Sequence, residues 1–76
     1  MNAKRRKAIE DIQERVEAFK SEIEDIRDEE QEYFDNMPES FQYGEKGEKA
    51  EAAIEALEDA MNSLEEIDGY LETAKE

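Results

Sequence analysis

The sequence predicts an all-α fold: an antiparallel two-helix hairpin, coiled-coil-like, that dimerises into a four-helix bundle. Three observations predict it. Apolar residues recur at heptad spacing through the first half. They recur again, in a wider stripe, through the second half. The only proline and two of the three glycines fall between the halves. The expectation is one domain over residues 1–76, with a helix over about 3–35, a connection over about 36–45 and a second helix over about 46–74.

In the first helix the large apolar residues are Ile9, Ile12, Val16, Phe19, Ile23, Ile26, Tyr33 and Met37. Their gaps are 3, 4, 3, 4, 3, 7 and 4. That is an a/d heptad with Glu30 at one a position. No Gly or Pro interrupts residues 1–37. Met37-Pro38 then ends the helix, because a proline pushes the residue before it out of the helical conformation. Asp35 and Asn36 suit a helix end or turn. Pro38 to Phe41 allows one short helical turn. Gly44 or Gly47 marks the next start, with Glu45 and Glu48 in the first turn, where the helix dipole favours acids.

In the second helix Ile54, Leu57, Met61, Leu64 and Leu71 hold a and d positions, and Asp68 fills the remaining a. A further column, Ala53, Ala60, Ile67 and Ala74, widens the stripe to three positions. A stripe that wide predicts contact with more than one neighbour. Gly69 costs ~1 kcal/mol relative to Ala inside a helix. The apolar pattern resumes at Leu71, so the helix is expected to run through Asp68-Gly69.

Antiparallel pairing joins residues whose numbers sum to a constant. A sum of 87 pairs Tyr33 with Ile54, Ile26 with Met61, Ile23 with Leu64 and Val16 with Leu71. A sum of 85 sets the flanking Arg27, Lys20 and Gln13 opposite Glu58, Glu65 and Glu72. The same register leaves two imperfect layers, Phe19 against Asp68 and Glu30 against Leu57. A lone pair of helices buries little core, which is why a homodimer, or docking onto a partner, is expected.

Composition bounds the function. There is no Cys, His or Trp, so no disulfide and no zinc site built on those ligands. The Glu-x-x-His motif of di-iron bundles is absent. DEEQE at 28–32 lacks the alternating ligands and glycine of an EF-hand loop. No enzyme, cofactor or metal centre is expected. Apolar runs reach only two or three residues, too short for a membrane span or a signal-peptide core. A cytoplasmic protein without membrane contact is expected.

Charge is unevenly placed. Lys4, Arg5, Arg6 and Lys7 open the chain, and residues 1–7 carry no acid. The other 69 residues hold all 24 acids and six bases, 6 − 24 = −18. Such a surface repels nucleic acid and attracts basic partners, so direct nucleic-acid binding is not expected. Glu10, Asp11, Glu14, Glu17, Glu24, Asp25, Asp28 and Glu32 fall at outward positions of the first helix. Glu51, Glu55, Asp59 and Glu66 do so on the second. The plain reading is a solvated face. The specific one is a mimic of nucleic-acid phosphates that occupies a basic groove. For the basic tip the plain reading is an answer from Glu72, Glu76 and the terminal carboxylate, and the specific one is contact with nucleic acid or an acidic surface. Phe34, Phe41 and Tyr43 are not required by the heptads. They either plug the end of the bundle or form an aromatic docking tip, and Gly44 and Gly47 would let such a tip adapt.

DEEQEYFDNMPES at 28–40, followed by a Gly/Glu/Lys turn and an Ala/Glu/Leu-rich helix, resembles a group of small acidic proteins of bacteriophages and prophages. In that group a phrase like EYFDNMPE joins two charged helices. The resemblance covers roughly residues 22–74, and its specific part is Glu32 to Glu39. It implies a phage context, a bacterial host cell and a small regulator of a host protein. It assigns no activity and no functional residue. The expectation is a non-enzymatic acidic protein-binding module, an inhibitor that masks a basic nucleic-acid-binding surface of a host protein. The alternative is a structural module that acts by self-association.

Overall fold

The computed structural model describes all 76 residues and contains three helices: α1 (Ala3–Asp35), α2 (Glu39–Gln42) and α3 (Glu45–Ala74). Asn2 starts α1, its side-chain oxygen accepting the Arg5 backbone N–H at 2.8 Å. That bond satisfies one of the orphan donors of the first turn. Asn36 ends α1, Pro38 precedes the single turn of α2, and Gly44 stands at the N-cap of α3 without a side-chain bond. The short helical turn expected at Pro38–Phe41 is therefore present. So is the passage of α3 through Asp68-Gly69. A Cβ added at Gly69 meets nothing within 4 Å. Gly69→Ala is expected to stabilise the chain by ~1 kcal/mol, read as a raised thermal midpoint by circular dichroism.

The two long helices run antiparallel from end to end. The N-terminal amine lies 3.5 Å from the Glu76 carbonyl oxygen, and the Arg6 Nε donates to the Lys75 carbonyl at 2.9 Å. Further along, Gln13 donates to Glu72 at 3.0 Å, Lys20 to Glu65, and the Arg27 guanidinium stands 3.9 Å from Glu58. These are the three lateral pairs expected from the sum of 85. The result is a rod of 58 × 15 × 11 Å.

The seam between the helices differs from the expected a/d layers. On α1 the residues turned toward α3 are Ile9, Val16, Ile23 and Glu30 from the a column, continued by Met37 just past the helix end, with Gln13, Lys20, Arg27 and Phe34 from the e column; all are half-buried. The d column rolls out: Ile12, Phe19, Ile26 and Tyr33 remain 39%, 55%, 53% and 53% exposed. The expected layers Tyr33–Ile54 and Ile26–Met61, and the opposition of Phe19 to Asp68, are corrected accordingly. The physical reason is that a helix with one neighbour can face it with only about two columns. Here a and e win, because Lys20 and Arg27 lay their aliphatic stems along the seam while their heads reach the glutamates of α3.

On α3 the columns of Ile54/Met61/Asp68 and Leu57/Leu64/Leu71 face α1. Only Gly47, Ala50 and Ile54 are buried. They lie at the connection end, where α2 packs on the first turns of α3. Gly47 is needed there for close approach: a Cβ at this position would lie 1.9 Å from the Gln42 carbonyl oxygen. The expectation that Gly47 lends the tip freedom is thus corrected. Its backbone φ is ordinary, and its role is to let α2 sit on α3. Gln42 completes the corner, its Nε2 donating to the Phe34 carbonyl at the end of α1 at 3.1 Å.

Candidate interaction surfaces

Three surfaces follow from this packing. The first is the acidic side of α1. Asp11, Glu14, Glu17, Glu24, Asp25, Asp28 and Glu32 are exposed, whereas Glu10 is half-buried. Asp11 is answered by Lys7 at 2.8 Å and Asp28 by Arg27 at 2.8 Å. Glu14, Glu17, Glu24, Asp25 and Glu32 have no cation within ion-pair distance. The hydrogen bond to Asp11, reinforced by its charge, raises the Lys7 ammonium above its ordinary pKa, and the bond to Glu65 does the same for Lys20. Glu72 is held below the usual carboxylate range, first by the hydrogen bond from Gln13 and then by Lys75. No three Asp or Glu side chains converge to hold a metal ion.

The basic tip is only partly answered, and not as expected. Arg6 bonds the Lys75 and Met1 carbonyls, and Lys7 bonds Asp11. Glu72 instead takes its bonds from Gln13 and Lys75. Lys4 and Arg5 are exposed and make no ion pair.

The second surface is the connection end, where the three aromatics part company. Phe34 is half-buried against the corner made by Gln42. Phe41 is 51% exposed, under the Lys46 ammonium at 5.7 Å from its ring centre. Tyr43 is 79% exposed. The plug role is thus corrected to Phe34, with partial cover from Phe41; Tyr43 plugs nothing. Phe41, Met37, Pro38 and Tyr33 line an open groove, with Glu32 and Lys46 at its rim. Tyr43→Ala is expected to change stability by no more than ~0.5 kcal/mol, and Phe34→Ala to cost several times more. Paired thermal melts check this.

The third surface runs the length of the rod on the side away from the Lys20–Glu65 bridge. On α1 it is the rolled-out column Ile12, Phe19, Ile26 and Tyr33. On α3 it is Ala53, Ala60, Ile67 and Ala74, with the next column outward, Lys49, Ala56, Ser63 and Tyr70. The shared groove of Tyr33 and Lys46 places the two helices' columns on one side. Those columns contain no Asp or Glu at all, although the chain has 24 acids. Tyr70 is 75% exposed. Counting apolar residues passes over the Ala56/Ser63/Tyr70 column, because it is small and mixed. The signal that finds it is the absence of acid at every seventh residue of a strongly acidic helix.

No family model matches the chain, and no curated protein or solved structure shows significant similarity to it. No helix is long and apolar enough to cross a membrane.

Proposed function

We propose that this chain is a non-enzymatic acidic protein-binding module that occupies a basic, nucleic-acid-binding surface of another protein inside the cell. The observation that carries the reading is the row of unpaired carboxylates on α1. Glu14, Glu17, Glu24, Asp25 and Glu32 are held by one 33-residue helix with no cation to neutralise them. At 1.5 Å per residue that helix is about 50 Å long. The net charge of −14 over a 58 Å rod is one charge per about 4 Å, close to the ~3.4 Å of a single DNA strand. A groove that evolved to neutralise phosphates meets a comparable field here. A phage inhibitor of a host factor is the setting in which such a module fits, and that setting rests on the resemblance of Glu32 to Glu39 alone.

The test uses the immobilised full chain and a Lys/Arg-rich DNA-binding protein. Retention should fall as salt rises, because screening weakens carboxylate–cation contacts, and duplex DNA should displace the captured protein. Replacing Glu14, Glu17 and Glu24 by Gln and Asp25 by Asn should weaken retention by about tenfold or more while helix content is kept. Retention untouched by those four changes, but lost on Phe41→Ala with Tyr43→Ala, would assign the contact to the aromatic end and contradict the acidic reading. A second reading, self-association, is favoured by a different observation, the acid-free face.

A further inference from the structure

We infer that a second copy of this chain covers the acid-free face, giving a four-helix bundle with both connections at the same end. Phe19, Ile26, Tyr33 and Tyr70 each keep half or more of their surface in water. Contiguous exposed apolar area of this kind marks an association site. A stable interface buries ~800 Å² per partner, and a face running along a 58 × 15 Å rod can supply it.

Charge selects the occupant. A basic protein is drawn to the acidic side of α1, whereas this face carries no acid along its centre, only Lys46 and Lys49 near the connection end and Arg5 near the other. The partner that fits is long, apolar and uncharged along its middle. For any chain of net charge −14 this is also the only side on which a second copy approaches without meeting carboxylates head on.

Side-chain size then selects the arrangement. The lateral bridges fix which residues stand at equal height on α1 and α3: their numbers sum to about 85. A two-fold axis along the rod lays α1 of one copy over α3 of the other at the same heights. Ile12 then meets Ala74, Phe19 meets Ile67, Ile26 meets Ala60 and Tyr33 meets Ala53. Three of the four contacts set a large residue against a small one, which is how packed layers interdigitate. At the outer edge Arg15 comes level with Tyr70, Glu22 with Ser63 and Glu29 with Ala56, so each edge acid faces an uncharged residue. The alternative axis, across the rod, stacks α1 on α1. It sets Phe19 against Ile26 and Glu22 against its own copy, and leaves Ala53 facing Ala74, which crowds one half of the core and empties the other.

The bundle would also sharpen the field. Two chains bring 2 × 14 = 28 net charges to 58 Å, about one per 2 Å, near the ~1.7 Å of duplex DNA. The self-association itself stands apart from the basic-surface reading and survives its failure.

Sedimentation equilibrium on the pure full chain tests the inference. The expected mass at high concentration is twice the 8.9 kDa of one chain. Ala56→Glu with Ser63→Glu places like charges opposite Glu29 and Glu22 across the edge, at two exposed positions where neither residue supports the fold of one copy. These changes should weaken dimerisation at least about tenfold with an unchanged helical spectrum, and Glu17→Gln on the far side should not. A mass of 8.9 kDa at every concentration, growing only when another protein is added, would assign the face to a foreign partner and overturn the inference. A dimer indifferent to Ala56→Glu and Ser63→Glu would overturn it as well.

Discussion

Gly47→Ala is expected to lower the thermal midpoint of this chain by about 5–20 °C. The change adds one methyl group, and in most helices it would stabilise. Here the new Cβ falls 1.9 Å from the Gln42 carbonyl oxygen, 2.4 Å from its carbonyl carbon and 2.7 Å from its Cα. All three are backbone atoms, so no side chain can swing aside. Either α2 lifts from α3 or the first turn of α3 unwinds. Overpacking of this kind costs ~1–3 kcal/mol, and ~1 kcal/mol shifts a domain of this size by ~4–8 °C. Lifting α2 also breaks the 3.1 Å bond from Gln42 to the Phe34 carbonyl. Melting curves at the helical band check this, with Gly69→Ala as the opposite-signed control. Equal gains from both glycines would mean that α2 does not pack against Gly47 on the first turn of α3.

Ile54→Ala is expected to cost ~2–5 kcal/mol, enough to leave much of the chain unfolded, since a domain this small seldom holds more than ~3–5 kcal/mol. Ile54 is the one large side chain below a tenth of its exposure, at 8%, with Ala50 beside it at 2%. Phe19→Ala removes a larger group, but from a site 55% exposed, and should cost about 1 kcal/mol or less in the isolated chain. Urea titrations of the two variants read the contrast directly. A Phe19 loss as large as that of Ile54 would return the d column of α1 to the intrachain core.

These two positions mark where the sequence speaks and where it is silent. Heptad spacing from Ile9 to Met37 and from Ile54 to Leu71 is enough to define both long helices, because burying one face demands that period. The Pro38 boundary follows from local sterics. The Arg27, Lys20 and Gln13 column recurs at the same seven-residue interval as Glu51, Glu58, Glu65 and Glu72, so it narrows the register to steps of seven, of which the structure takes the sum of 85. The roll of α1 is not legible in the same way. The a/d and a/e seams share one period, and choosing between them depends on how far the Lys20 and Arg27 stems lie down on the partner helix. Gly47 and Gln42 escape for another reason: a glycine needed for close approach looks the same in sequence as one needed for a turn. Of the candidate site, the acidic residues were legible from the heptad position alone. The acid-free flank through Ala56, Ser63 and Tyr70 requires knowing which side α1 leaves uncovered.

The central claim is that charge and apolar surface lie on separate sides of the rod. Salt tests it most directly. The weight-average mass of the pure chain should be measured by sedimentation at low and at high sodium chloride, at one concentration where monomer and dimer coexist. An apolar face between two chains of net charge −14 predicts a mass that rises with salt, because screening removes the mutual repulsion and leaves the contact intact. A mass that falls as salt is added would mean that carboxylates and bases hold the copies together, and would contradict the separation of faces.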